Sequence, residues 1–94
     1  MTPEAKVKLR IRKVLNELEA YYCMPMTGGY GHSGVPDFIV CYKGKFIGIE
    51  AKAGKGKATA LQLYTLARIK EAGGIAWIID ELNVNQLRTE IENV

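Results

Sequence analysis

The chain reads as a mixed α/β domain: a small β-sheet flanked by helices, in the order α-β-β-α-β-α. Three observations carry this reading. Apolar residues recur at helical spacing twice, at Val7, Ile11, Val14, Leu15, Leu18 and Tyr22, and at Leu63, Leu66, Ala67 and Ile69. Two β-rich runs, residues 38–42 and 46–50, flank Lys43-Gly44-Lys45 in the pattern of a hairpin. A third apolar run, residues 75–79, follows the second helix, which makes that helix a crossover and sets its strand parallel to the preceding one.

The elements follow in order. Thr2 is a cap, Pro3 suits the first helical position, and Glu4 complements the helix dipole. The first helix is expected to run to Tyr22, with Lys6, Lys8, Arg10, Arg12, Lys13 and Glu17 largely on its other faces. Residues 23–35, rich in glycine, read as a loop. If Lys43-Gly44 is a two-residue turn, Tyr42 pairs with Lys45 and Asp37 lands opposite Glu50. Another turn shifts the register by one and needs a bulge to keep both acids on one face. Thr59 caps the second helix, which stops at Gly73-Gly74. The strand at 75–79 is apolar throughout and is expected to be covered on both faces, with Trp77 in the core. Asn83 or Asn85 caps a last helix that turns Val84, Leu87 and Ile91 inward.

Ninety-four residues make one domain, 1–94, with a single small core. No apolar run is long enough to cross a bilayer, and with a polar start to the sequence no signal peptide is expected. Cys23 and Cys41 lack metal-ligand spacing, and a reduced, cytoplasmic setting is expected, with Cys41 a buried strand residue. Thirteen Lys and Arg against ten Asp and Glu give a slight basic excess. That excess matters more if some of the acids are gathered at one site and offset by a cation.

Asp37, Glu50 and Lys52 are the residues that point to chemistry. A carboxylate in an apolar strand needs a partner or a metal, because desolvating an isolated charge is prohibitive. Strand periodicity puts Glu50 and Lys52 on one face, and the hairpin brings Asp37 within reach of both. Two carboxylates suit a hard cation, Mg²⁺ or Mn²⁺, and a neighbouring lysine can stabilise phosphoryl charge or orient a nucleophile. This is the equipment of phosphodiester hydrolysis. Lys55 and Lys57, in the glycine-lysine loop after the second strand, are candidate phosphate contacts. Tyr30 is a candidate for stacking on a base or a partner chain, and the lone His32 sits in a loop without a motif.

Pro36-Asp37 and Glu50-Ala51-Lys52, separated by a hairpin, resemble the PD-(D/E)XK nucleases. The fuller pattern is similar to the VRR-NUC (virus-type replication–repair nuclease) family. It comprises Gly34-Val35-Pro36-Asp37, Gly48-Ile49-Glu50-Ala51-Lys52, Gln62 early in the next helix, and Gly73-Gly74 before an apolar strand.

The resemblance implies a restriction-endonuclease-like core. It implies Asp37 and Glu50 as metal ligands with the Ala51 carbonyl contributing, Lys52 as the catalytic lysine, and Gln62 contacting the site. It further implies an acid from the first helix, for which Glu4 is the match and Glu17 the competitor. The expected activity is a Mg²⁺- or Mn²⁺-dependent, structure-selective DNA endonuclease without an organic cofactor. Small stand-alone members, phage-type in origin, look like Holliday-junction resolvases that cut four-way junctions as homodimers. The alternatives are a non-catalytic DNA-binding module on the same fold, or a nuclease for flaps, duplex, single strands or RNA.

Overall fold

A computed structural model describes residues 1–26 and 34–94. Tyr30 and His32 lie outside the described residues. The elements are α1 (Pro3–Glu17), β1 (Tyr21–Cys23), β2 (Phe38–Tyr42), β3 (Lys45–Ala51), α2 (Ala60–Glu71) and β4 (Ile75–Ile79). A 3₁₀ turn (Val84–Gln86) then leads into α3 (Leu87–Glu92). The four strands form one sheet in the order β1-β2-β3-β4, antiparallel except for the β3–β4 pair. The expected mixed sheet and its flanking helices are therefore present, with β1 as an additional edge strand.

That additional strand corrects the expected length of the first helix. Glu19 adopts a left-handed conformation (φ 57°), and Leu18, Glu19 and Ala20 donate back to Val14, Asn16 and Leu15 carbonyls. This closes the helix at Glu17 as a left-handed cap, a conformation in which glycine is the usual residue. Tyr22 keeps its inward role from the strand instead. Its ring packs at 6.1 Å from the Phe38 ring, and its hydroxyl donates to Asn16 Oδ1 at 2.9 Å.

The core lies between one face of the sheet and α1 and α3. Val7, Ile11 and Leu15 meet Phe38, Val40, Ile47, Ile49, Ala51 and Ile79, and Val84, Leu87 and Ile91 close it as expected. Trp77 is partly buried against this cluster rather than enclosed by it. On the other face, α2 packs on β3 and β4 and, among the described residues, leaves β1 and β2 open. Cys41, expected to be buried, pairs with Tyr21 and Phe46 in that open row and is exposed and free. β4 is an edge strand, and Ile78 is 36% exposed, so the strand is not covered on both faces. Asn83 stands at the N-cap position of the 3₁₀ turn, as expected, but its side chain makes no cap bond there; the turn before it is closed by Asp80, whose Oδ1 accepts from Leu82 and Asn83 N–H. Asn83 instead ties back to Asp80 N–H and the Ile78 carbonyl. Among the described residues no helix is long and apolar enough to cross a membrane.

Candidate active site

The β2–β3 turn decides whether the two acids meet. Lys43 (φ 49°) and Gly44 (φ 80°) form a two-residue turn with both central residues left-handed, the geometry that matches the twist of paired strands. Tyr42 then pairs with Lys45 and Phe38 with Ile49, so the next step along the ladder sets Asp37 against Glu50. The Asp37 N–H donates to Glu50 Oε1 at 3.3 Å, and Asp37 Oδ2 accepts from the Ala51 N–H at 2.8 Å. These two hydrogen bonds lock the carboxylates and the Ala51 peptide into one unit.

Glu50 is 3% exposed and is the one charged residue buried in the described core. Its Oε2 accepts from Gln62 Nε2 at 2.8 Å and faces Lys52 Nζ at 3.4 Å. Burial, and then the neighbouring Asp37 carboxylate, push the Glu50 carboxyl above the usual glutamate range, while Lys52 offsets part of this. Lys52 is held by backbone as well, its N–H donating to the Ile79 carbonyl at 2.9 Å. Gln62 arrives from the first turn of α2, where its side-chain oxygen accepts from the Thr59 N–H at 2.9 Å and completes a capping box. All four residues expected to carry the chemistry are brought together.

Close packing sets the strand entering the site. A Cβ on Gly34 would stand 2.8 Å from the Leu61 carbonyl oxygen, so α2 and this segment approach as only glycine permits. A Cβ on Gly48 would meet Ile69 Cδ1 at 2.8 Å and Pro36 Cγ at 3.3 Å. The glycines thus seat α2 on β3 and bring Gln62 to Glu50.

The helix acid takes a different form from a third carboxylate at the centre. Glu4 Oε2 contacts Lys8 Nζ at 3.5 Å, and the same ammonium lies 3.4 Å from Asp37 Oδ1. Glu4 therefore reaches the site through Lys8, whereas Glu17 pairs with Arg88 at 3.2 Å. Helical spacing alone puts Lys8 on the outer faces of the first helix and does not mark it as part of the site. Its spacing of four from Glu4 was the available signal. Burial acts to lower the Lys8 pKa, but Asp37 and Glu4 together outweigh it and hold the ammonium above the usual lysine value. Lys55 and Lys57 are exposed on a loop whose Gly54 N–H is gripped by both Glu81 oxygens, at 2.9 and 3.2 Å.

Among the described residues no group of three or more His, Cys, Asp or Glu side chains converges to hold a metal, so the centre offers two carboxylates. A hard divalent cation fits this donor set. Both side chains are oxygen donors, Asp37 just before β2 and Glu50 on the neighbouring β3, and Glu50 is strained as an anion by burial beside Asp37.

No family profile and no curated protein matches the sequence. Among solved structures, one described as a VRR_NUC domain is similar, with a TM-score of 0.78 at 22% identity. The match covers 93% of this chain and 95% of that one. The chain has the restriction-endonuclease-like fold of a VRR_NUC domain.

Proposed function

We propose that the protein is a divalent-metal-dependent, structure-selective DNA endonuclease that resolves four-way junctions as a homodimer. The observation that carries the nuclease reading is the locked set Asp37–Glu50–Ala51 with Lys52 beside it. Asp37 and Glu50 would hold Mg²⁺ or Mn²⁺, with the Ala51 carbonyl adding an oxygen donor. When bound, the cation neutralises phosphate charge and lowers the pKa of a water.

The chain's own residues do the rest. The Asp37–Ala51 hydrogen bond fixes the peptide next to the ligands, and Gln62 keeps the buried Glu50 from rotating. Lys52, anchored at 3.4 Å from Glu50, presents an ammonium to the pentacovalent phosphorane charge or to the attacking water. Lys55 and Lys57 grip the phosphate backbone beside the cut. Tyr30 is assigned to base or partner contact. Junction preference and the dimer rest on symmetry: two sites related by a twofold axis suit paired cuts in a twofold substrate.

The test is cleavage of a labelled four-way junction beside matched duplex, flap and single-stranded DNA, in Mg²⁺, Mn²⁺ or EDTA. Metal-dependent paired cuts in the junction, reduced at least ~100-fold by Lys52→Ala, are expected. Cleavage of flaps or single strands alone would keep the site and discard the junction. Binding without cleavage under any metal would leave a DNA-binding module.

A further inference from the structure

Each carboxylate at the centre already has its own lysine, and the two lysines differ. Lys52 belongs to the strand that carries Glu50 and contacts it at 3.4 Å with its side chain 15% exposed. Lys8 comes from α1, and its side chain is 31% exposed. Helix packing delivers it: Val7 and Ile11, on either side, are 2% and 0% exposed and fix that turn of α1 on the sheet.

Asp37 has one oxygen committed and one open. Oδ2 accepts the Ala51 N–H, which leaves Oδ1 as the oxygen free to take a cation, and the Lys8 ammonium stands 3.4 Å from it. The same ammonium holds the Glu4 carboxylate at 3.5 Å, so Glu4 and Asp37 share one positive charge. An ion that approaches Asp37 Oδ1 meets this ammonium first.

We propose that Lys8 is a resident counter-ion of the site, occupying Asp37 Oδ1 and Glu4 until a divalent cation displaces it. The inference rests on the metal-dependent reading above and assigns a positioning role. A partly exposed ion pair contributes little to stability, so it yields readily to a dication. The ammonium and a dication at the same oxygen repel each other, and the flexible lysine stem has solvent to move into. Displacement releases both Asp37 Oδ1 and Glu4, so Glu4 becomes available to the ion only once Lys8 has left. A first-helix acid can thereby belong to the site while its carboxylate pairs with Lys8.

The experiment is calorimetric titration of the whole chain with Mn²⁺, for wild type, Lys8→Gln, Lys8→Arg and Asp37→Asn, each checked for folding by circular dichroism. Lys8→Gln should bind Mn²⁺ about tenfold more tightly than wild type, and Lys8→Arg should restore the weaker binding. In parallel, the Lys8 side-chain ¹⁵N signal of the wild type should shift during Mg²⁺ titration with the midpoint of the binding isotherm, a readout that needs no variant to fold. Equal or weaker binding by Lys8→Gln, or a Lys8 signal unmoved at Mg²⁺ saturation, would overturn the counter-ion role and leave the metal site intact. No Mn²⁺ binding in wild type or Lys8→Gln would overturn the metal-dependent reading and this inference with it. Loss of binding in Asp37→Asn alone identifies the ion's position and supports both.

Discussion

Gln62 donates to Glu50 at 2.8 Å with its amide nitrogen and caps α2 at Thr59 with its amide oxygen. One side chain therefore starts a helix and orients a buried carboxylate. A helix N-terminus is a place where backbone donors need partners, and here the partner is also a component of the site.

The two roles separate by mutation. Thr59→Ala removes the hydroxyl that accepts the Gln62 N–H at 3.1 Å but keeps the Glu50 contact. It should cost ~1 kcal/mol of stability and leave cleavage near wild type. Gln62→Ala should cost a similar amount and also lower cleavage by about tenfold to a hundredfold, because Glu50 loses its alignment. Thermal melts and single-turnover cleavage of the same preparations check the pair. Equal cleavage losses in both variants would mean that Gln62 acts on the helix alone.

The raised Glu50 pKa predicts a pH dependence with a definite sign. Between the ordinary value of 4.5 and its raised folded value, Glu50 holds more proton in the folded protein than in the unfolded chain. Its stabilising contribution is present at the acid end and is lost as pH rises through the folded pKa. Glu50→Gln has no such slope, so its melting temperature minus that of wild type should climb from about pH 4 to about pH 7 in EDTA. A difference that stays flat over that range would show that Glu50 titrates like an exposed glutamate.

Gly34 and Gly48 should differ in cost. Alanine at 34 drives a methyl to 2.8 Å from a backbone carbonyl, which cannot move without α2. Alanine at 48 meets the flexible end of Ile69. Urea unfolding should show a loss of ~2–3 kcal/mol for Gly34→Ala and ~1 kcal/mol for Gly48→Ala. The reverse order would refute this account of how α2 is seated.

Lys55 and Lys57 make a prediction that does not depend on catalysis. In a Lys52→Ala background, each Lys→Ala change on the loop should weaken DNA binding and reduce the salt-dependence slope by about one. Fluorescence anisotropy over a salt series measures it. An unchanged slope would remove these lysines from the phosphate contacts.

Much of this architecture is written in local pattern. The Lys43-Gly44 turn, the apolar alternation of β2 and β3, the Thr59 cap and the Gly73-Gly74 stop each act within a few residues, and together they place Asp37 opposite Glu50. Weak local signals conceal the rest. Glu19 takes the left-handed position where a glycine would announce the end of α1, so the sequence pattern shows helix and loop where β1 forms. Cys41 looked like a core residue because β-strand pattern reports alternation and not which half of a sheet a helix covers.

Sequence by itself determined the hairpin, the placement of Asp37, Glu50 and Lys52 on it and the helix that carries Gln62, because periodicity and turn chemistry are short-range properties. Tertiary structure alone decided that Lys8 stands on Asp37, that Glu4 and not Glu17 is the helix acid near the site, and that among the described residues β1 and β2 keep one open face. Those outcomes depend on how α1 and α2 sit across the sheet. That placement is set by the combined packing of Val7, Ile11, Gly34 and Gly48 against residues distant in the chain.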